Sequence, residues 1–318
     1  MRSSRSGIEP LLSNLPTEAL CTMPLLPLPH VYSGKVREIY DLGDCLLIIA
    51  TDRLSAFDVV LPDGVPGKGI LLTQLSLYGF GQAASLVRCH LLESHTQAVA
   101  EVLEEHSYLI PRSMLVRKLK PLPIEAVVRG YLAGSAWKVY QKTGKLFDHN
   151  VPKGLLQSDA LPEPLLTPTT KAQSGHDAPI SAKEASALLG PSLFQKVCRF
   201  SLELFDLGSR MAQKSGLILA DTKFEFGQDS QGRLYLIDEV FTSDSSRYWR
   251  RKAYRPGRAQ QAFDKQYIRE YLETLDWDKT PPGPRLPPEV IATVRQRYEE
   301  VVRLMLTPDR RVGSYSLS

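Results

Sequence analysis

The residues best able to do chemistry lie in two neighbouring strings. In Ala220-Asp221-Thr222-Lys223-Phe224-Glu225-Phe226, charged side chains alternate with apolar or hydroxyl ones. The period of two of an extended chain puts Asp221, Lys223 and Glu225 on one face and Thr222, Phe224 and Phe226 on the other. Shortly after, Asp238 and Glu239 follow the apolar run Leu234-Tyr235-Leu236-Ile237. The intervening Gly227-Gln228-Asp229-Ser230-Gln231-Gly232 predicts a hairpin with a longer loop, which would carry Asp238 close to Asp221 or Glu225. Sequence does not resolve which, because register is set in three dimensions. Carboxylates crowded on one sheet face repel unless a cation compensates them. Hard oxygen donors in that arrangement suit Mg²⁺, which takes one or two carboxylates together with substrate phosphates. The plainer alternative is a solvated sheet face with Lys223 bridging two acids. An acidic pair inside Leu-Ile-Asp-Glu-Val-Phe favours the site, since burying unpaired charge is costly.

Three further segments could bind anions. Val127-Val128-Arg129-Gly130-Tyr131-Leu132-Ala133-Gly134-Ser135 reads as a strand, a glycine-punctuated turn and a helix start, where free N–H groups, Arg129 and Ser135 could meet a phosphate or carboxylate. Its plain alternative is a strand–turn–helix join with Ser135 as N-cap. Ser33-Gly34-Lys35-Val36-Arg37-Glu38-Ile39-Tyr40 puts Lys35 and Arg37 on one face of an expected strand that could cover nucleotide phosphates. Neither it nor Gly64-Val65-Pro66-Gly67-Lys68-Gly69 has the GxxxxGK[ST] order, and each alone reads more simply as an edge strand or turn. Thr242-Ser243-Asp244-Ser245-Ser246-Arg247 is a second anion clamp or a polar loop. The histidines show no HExxH spacing, so no zinc is assigned, and no GxSxG elbow is present.

The elements that must position these residues fall into regions. Residues 1–30 read as a ragged N-terminal extension, interrupted by prolines and too polar for a signal peptide. Residues 31–122 are strand-rich, with Cys45–Ala50 and Met114–Val116 as buried strands and a helix over Thr96–His106. Residues 123–255 are mixed. They hold a strand over Ile124–Val128, helices over Ser135–Thr143 and from a capping box at Ser181 to Gly190, and a longer helix facing inward through Val197, Leu204, Phe205, Gly208 and Met211. The strands Leu217–Phe226 and Leu234–Phe241 follow. Residues 256–318 are helical, with stripes Ile268, Tyr271, Leu272, Leu275 and Ile291, Val294, Tyr298, Val301, Met305 separated by the proline-rich stretch Thr280–Pro288.

Composition bounds the function class. The 318 residues are 43% hydrophobic and 23% charged, enough for a sizeable core without cross-links. Cys21, Cys45, Cys89 and Cys198 are scattered with no CxxC pair, as in a reduced, cytoplasmic protein. No apolar run approaches the roughly 20 residues that span a bilayer. The net charge of +4 permits nucleic acid or small anions as partners. The densest basic run, Arg247 with Arg250, Arg251 and Lys252, fits a phosphate pocket as well as a nucleic acid, and the clustered acids of the hairpin argue against the latter.

In order along the chain, Gly34-Lys35-Val36-Arg37, Ala50-Thr51-Asp52-Arg53-Leu54-Ser55-Ala56-Phe57-Asp58, Lys68-Gly69-Ile70-Leu71-Leu72-Thr73, Val128-Arg129-Gly130-Tyr131 with Gly134-Ser135-Ala136-Trp137-Lys138, Ala220 to Gly227, and Asp238-Glu239 with Asp244-Ser245-Ser246-Arg247 resemble the SAICAR synthetase family in its longer, single-function form. The resemblance implies an α+β, two-lobed ATP-binding fold: an antiparallel-sheet N-terminal lobe, a mixed central lobe and a helical C-terminal tail. It implies an ATP-dependent ligase that joins L-aspartate to the carboxylate of an aminoimidazole ribonucleotide, through an acyl phosphate, with Mg²⁺ as cofactor. By position, Lys35 and Arg37 would hold ATP phosphates with help from Lys68, and the segment from Val116 through Lys118 to Leu119 would face the adenine. Glu225 and Asp238 would hold Mg²⁺. Arg129, Ser135, Arg247 and Arg269, with Ser55 and Asp58, would bind the ribonucleotide. Lys223 would neutralise the transferring phosphoryl group, with Asp221 orienting it or accepting a proton. The implied partners are small molecules, with no membrane or nucleic acid, for a monomer or small homo-oligomer. The rival reading is a kinase-like small-molecule phosphotransferase.

Overall fold

A computed structural model describes residues 8–93, 95–171, 178–263 and 265–307. The chain opens with α1 (Glu9–Ser13) and then forms β1 (His30–Ser33), β2 (Arg37–Asp41), β3 (Cys45–Ala50), the two-residue strands β4 (Ser55–Ala56) and β5 (Val59–Val60), α2 (Lys68–Ala83), α3 (His95–Val102) and β6 (Ser113–Arg117). Next come β7 (Lys120–Tyr131), α4 (Gly134–Thr143), β8 (Ala160–Thr170), α5 (Ala182–Leu189), α6 (Pro191–Lys214), β9 (Leu217–Gln228), β10 (Leu234–Ile237), β11 (Ser246–Arg250), α7 (Gln266–Glu273) and α8 (Pro288–Leu306). The fold is α+β. One antiparallel sheet has the order β1-β2-β3-β6, and a second runs β10-β9-β7-β8 with β11 also paired to β9.

The second sheet owes its shape to the length of β9. Its last residues pair with β10, Ile237 opposite Glu225, and its first residues pair with β11, Arg247 opposite Asp221. Both partners therefore lie on one edge of β9, and the loop from Asp238 to Ser245 leaves the sheet between them. The expected strand Leu234–Phe241 stops at Ile237 because Asp238 and Phe241 adopt φ of 67° and 57°, which no strand continues through.

Three further elements differ from the sequence-based expectation. The stretch from Lys68 is helix α2, which lies inside the nominally strand-rich region and is buried at Ile70, Leu71, Leu72, Leu75 and Phe80 as well as at Lys68, Thr73 and Ser76. Burial on several sides removes the amphipathic stripe by which a surface helix is recognised. Strand β8 contains Pro162, Pro164 and Pro168 and was hidden by them; it lies at the sheet edge, where a missing N–H breaks no ladder. The N-terminal extension is not ragged from residue 8 onward: Ile8, Leu12, Leu15 and Leu26 are buried, and Arg295 of α8 donates to the Pro16 carbonyl at 2.8 Å. Residues 1–7 and 308–318, the outer parts of the extension and tail, lie outside the described residues.

The base of the first sheet is held by Asp52, fully buried beneath the N-terminus of α2. Its carboxylate accepts two bonds from Arg112, at 2.9 and 3.1 Å, and further bonds from the backbone N–H groups of Leu20, Gly67 and Gly69. A two-pronged arginine contact with backbone donors satisfies both carboxylate oxygens, which is what makes a buried ion pair tolerable. Removing the anion leaves the Arg112 guanidinium buried and uncompensated. Asp52→Ala is expected to cost about 3–5 kcal/mol, read as a loss of unfolding free energy in denaturant titration; a variant as stable as the parent would refute this role.

Candidate active site

Along β9 the side chains of Asp221, Lys223 and Glu225 share one face, as the alternation predicts, and rise at about 7 Å per pair of residues. Each meets a different set of neighbours because β7 and β11 flank the strand. Asp221 stands opposite Arg129 on β7 and Arg247 on β11. Its carboxylate accepts from Arg247 Nη1 at 3.2 Å and lies 4.0 Å from Arg129 Nη1. Arg129 also donates to Thr167 Oγ1 at 2.9 Å and to Ser135 Oγ at 3.2 Å. Two guanidinium groups thus converge on one carboxylate. Burial pulls the Arg129 pKa below the usual arginine range, although Asp221 opposes the shift.

Ser135 does not cap its helix: α4 begins at Gly134 after the extended Ala133, with no side-chain cap, so the expected N-cap role is replaced by the contact with Arg129. Gly134 has φ 56° and carries the Arg247 guanidinium so closely that a β-carbon would sit 2.5 Å from Nη1. The left-handed φ favours glycine here, and any side chain would also displace the guanidinium.

The other end of β9 is the acidic end. Glu125 of β7 faces Glu225 directly, a like-charge pair that needs a cation. Lys223 Nζ supplies it, 2.7 Å from Glu125 and 2.5 Å from Glu225, and Lys171 pairs with the other Glu225 oxygen. Burial works against the Lys223 charge, but Glu225 and Glu125 hold its pKa well above the usual lysine range. Burial likewise opposes the Glu225 charge, and Lys223 and Lys171 together keep that carboxyl far below its ordinary pKa. Lys223 does bridge two acids, and the second is Glu125, which the sequence offered no reason to select.

Asp238 is carried to Glu225 and not to Asp221, since the hairpin ends with Ile237 opposite Glu225. Arg37 crosses from the first sheet to pair with Asp238 and, at 2.8 Å, with Glu239. Burial pushes the Asp238 carboxyl up to about 6; Arg37 opposes this and the Glu225 charge adds to it. A carboxylate still penalised beside an arginine favours a further cation. Among the described residues no group of three or more His, Cys, Asp or Glu is set to hold a metal unaided. Two carboxylates that need phosphate oxygens to complete a shell suit Mg²⁺ on that count.

Other expected residues are placed as follows. Lys35 lies in the turn between β1 and β2, not in a strand, and pairs with Asp58 across 23 residues. Lys68 is not presented to a phosphate. It is 1% exposed, 2.8 Å from Asp244, with its ammonium over the Tyr298 ring. Asp244 also binds Lys265 at 2.9 Å and Tyr298 Oη at 2.7 Å, and Thr242 is bonded to Glu239 and Ser245, so this loop is an internal brace. Val116 is buried in the core and flanked by Leu46 and Leu91, which leaves Lys118 and Leu119 as the two residues between β6 and β7; Lys118 pairs with Asp41 at 2.6 Å. Ser55 is buried in β4.

A cavity of about 400 Å³ adjoins the arginine end. Its walls include Asp58, Ser135, Trp137, Arg247 and Arg269, so four residues expected to bind substrate share one space. Lys35, Arg37, Lys223, Glu225 and Asp238 lie beyond it. Glu125 and Lys171 were missed for want of a local pattern: each reaches Lys223 or Glu225 from a strand or loop distant in sequence.

An α+β fold of two sheets, with paired carboxylates, lysines and arginines on the floor of the second, defines a two-lobed nucleotide-using enzyme. The profile described as SAICAR synthetase matches residues 30–284. The chain is 52% identical over 275 residues to the phosphoribosylaminoimidazole-succinocarboxamide synthase of Desulfosudis oleivorans, covering 86% of this chain and 94% of that one. It is 49% identical over 273 residues to the enzyme of the same name from Thermodesulfovibrio yellowstonii, covering 86% and 93%. The structure resembles the SAICAR synthase of Saccharomyces cerevisiae, solved in complex with SAICAR, at a TM-score of 0.81 and 39% identity over 89% of this chain and 97% of that one. A SAICAR synthetase solved with ADP gives 0.62 and 25% identity over 87% and 97%. The chain belongs to the SAICAR synthetase family, and it is a carbon–nitrogen ligase.

The raised Asp238 pKa has a consequence for stability. An acid whose folded pKa lies above its unfolded value near 3.8 stabilises the fold only while protonated, so that contribution is full below about 4 and lost as pH rises through about 6. Asp238→Asn mimics the protonated form and suits the left-handed backbone. Without nucleotide or metal it is expected to melt a few degrees higher than the parent at pH 7.5, a gain of about 1–2 kcal/mol, and to match it at pH 4. A variant that melts lower at pH 7.5 would contradict the assignment.

Proposed function

We propose that this enzyme joins L-aspartate to 5-amino-1-(5-phospho-D-ribosyl)imidazole-4-carboxylate at the expense of ATP, giving the succinocarboxamide, ADP and phosphate in purine biosynthesis. The observation that carries this reading beyond family membership is the order of charges along β9: an arginine-rich end beside the cavity, a lysine at the centre and a carboxylate pair at the far end. That sequence of charges matches a substrate whose anionic carboxylate must meet the terminal phosphate of ATP. The relatives solved with SAICAR and with ADP support both halves of the reading, and membership of this ligase family disfavours the kinase-like phosphotransferase.

A carboxylate does not acylate an amine unaided at neutral pH. Phosphorylation of one oxygen creates a leaving group, so the reaction runs through an acyl phosphate that the aspartate amine then attacks. Catalysis rests on alignment and charge neutralisation. Arg129, Arg247 and Arg269, with Ser135, Ser55 and Asp58, hold the ribonucleotide. Lys35 from the β1–β2 turn and Arg37 from β2 hold the ATP phosphates, with the adenine against the connector at Lys118. Lys223, kept protonated by Glu125 and Glu225, offers positive charge where the phosphoryl group transfers, and Asp221 fixes the two arginines beside it. Glu225 and Asp238 would hold Mg²⁺. The metal when bound would offset the negative charge of the β- and γ-phosphates. Lys68 is left out of the phosphate contacts because it is buried as well as held by Asp244. The enzyme acts in the cytoplasm on small molecules, as a monomer or small homo-oligomer.

The test is ADP release measured with each substrate omitted in turn. Release is expected to require both L-aspartate and the ribonucleotide carboxylate, and to fall by about a hundredfold or more in Glu225→Gln, on the scale seen when a group that orders charge in the transition state is lost. Undiminished ADP release without aspartate would exclude the ligase reaction for this chain.

A further inference from the structure

The hairpin β4–β5 pairs Ser55 with Val60 and Ala56 with Val59, which leaves Phe57 and Asp58 as a two-residue turn. Both have positive φ, 51° and 64°. Two successive left-handed residues make the turn type that ordinarily selects asparagine and glycine, because a β-carbon is crowded there. Phenylalanine at the first position therefore needs outside support, and strain of this kind persists only where the surroundings over-determine it.

The support comes from far along the chain. The Phe57 ring meets the edge of Trp277, with centroids 6.3 Å apart at 63°, and the Lys279 ammonium lies 4.5 Å from its centroid. Both are favourable geometries for an aromatic ring. Trp277 is itself anchored, its indole N–H donating to the Thr280 carbonyl at 2.8 Å. Beyond it the segment stays against the same hairpin. Gly283 lies so close to Leu61 that a β-carbon would come within 2.7 Å of it, and Asp63 accepts from Arg285 at 3.0 Å and from the Leu286 N–H at 2.8 Å. Immediately before this segment, α7 supplies Gln266, Arg269, Glu270 and Glu273 to the wall of the 400 Å³ cavity, and Phe57 and Asp58 belong to the wall as well.

We infer that the segment from Trp277 to Leu286 is a clamp joining two walls of the substrate cavity, and that Trp277 and Lys279 are positioning residues that hold Asp58 toward the bound ribonucleotide. Neither lines the cavity; each acts through Phe57. With the clamp in place the hairpin and α7 move as one body, so Asp58 and Arg269 keep a fixed separation. Without it the turn relaxes toward ordinary backbone angles and Asp58 leaves its place.

The inference rests on the reading of this cavity as the ribonucleotide site, and the experiment separates the two. Steady-state ADP release is measured for the full chain and for Trp277→Ala, Trp277→Phe, Lys279→Ala and Arg269→Ala, varying the ribonucleotide and ATP in turn. Trp277→Ala and Lys279→Ala are expected to raise KM for the ribonucleotide by about tenfold, with KM for ATP changed by no more than about twofold, the scale of a misplaced binding group. Trp277→Phe, which keeps an aromatic edge, should restore most of the difference. If Arg269→Ala leaves KM for the ribonucleotide unchanged, the cavity reading fails. If Arg269→Ala raises it while Lys279→Ala and Trp277→Ala do not, or raise both KM values equally, the clamp is refuted. Lys279 has an exposed side chain, so its alanine variant keeps the test decisive if Trp277→Ala does not fold.

Discussion

The arrangement depends on one electrostatic constraint: three charged side chains on a single face of a central strand must each be balanced by partners from neighbouring strands. Glu225 faces Glu125 across the sheet, and such a pair cannot stay ionised in a buried setting without a cation between them. Lys223 and Lys171 meet that need at one end, and Arg129 with Arg247 surrounds Asp221 at the other. Because β9 is flanked by β7 along its length and by β11 at its start, these partners arrive from β7, from β11 and from Lys171 just beyond β8. A substrate carrying its own negative charge enters a site where positive groups are already in position, so little reorganisation is required when charge shifts.

The same constraint ties the two sheets together. Arg37 belongs to β2 but finds its carboxylates, Asp238 and Glu239, on the loop that leaves the second sheet. That loop is braced from beneath by Asp244, which gathers Lys68 from α2, Lys265 from the N-terminus of α7 and Tyr298 from α8. Burial lowers the Lys265 pKa although Asp244 opposes the shift, whereas burial of the Asp244 carboxyl is outweighed by the two lysines, which hold its pKa below the usual carboxylate range. The helical tail is thus part of the support for the acidic loop. The packed N-terminal segment adds to this, since Asp52 receives the Leu20 N–H on one side and Arg112 on the other.

How much was legible before folding depended on whether the signal was local. The alternation over Asp221 to Phe226 is a property of a few consecutive residues and appears unchanged in β9. The capping box at Ser181 and Glu184 forms with both reciprocal bonds, because its groups are three residues apart. Helix α2 was not legible, since a helix buried on several sides leaves no stripe to read. Strand β8 was masked by prolines that only an edge position makes tolerable. Lys68 was expected at the ATP phosphates only through the family resemblance, whereas Asp244, distant in sequence, claims it.

By itself the sequence determined the chemical inventory: which residue types were available, which shared a strand face, and, through six ordered motifs, which family they composed. Only the tertiary structure decided that Asp238 joins Glu225 and not Asp221, that Glu125 and Lys171 complete the acidic end, and that Trp277 supports Phe57. The physical reason is common to all three. Strand alternation and helix caps are set by backbone geometry within a few residues, whereas register, edge position and the pairing of buried charges are set by elements that meet only after the chain has closed on itself.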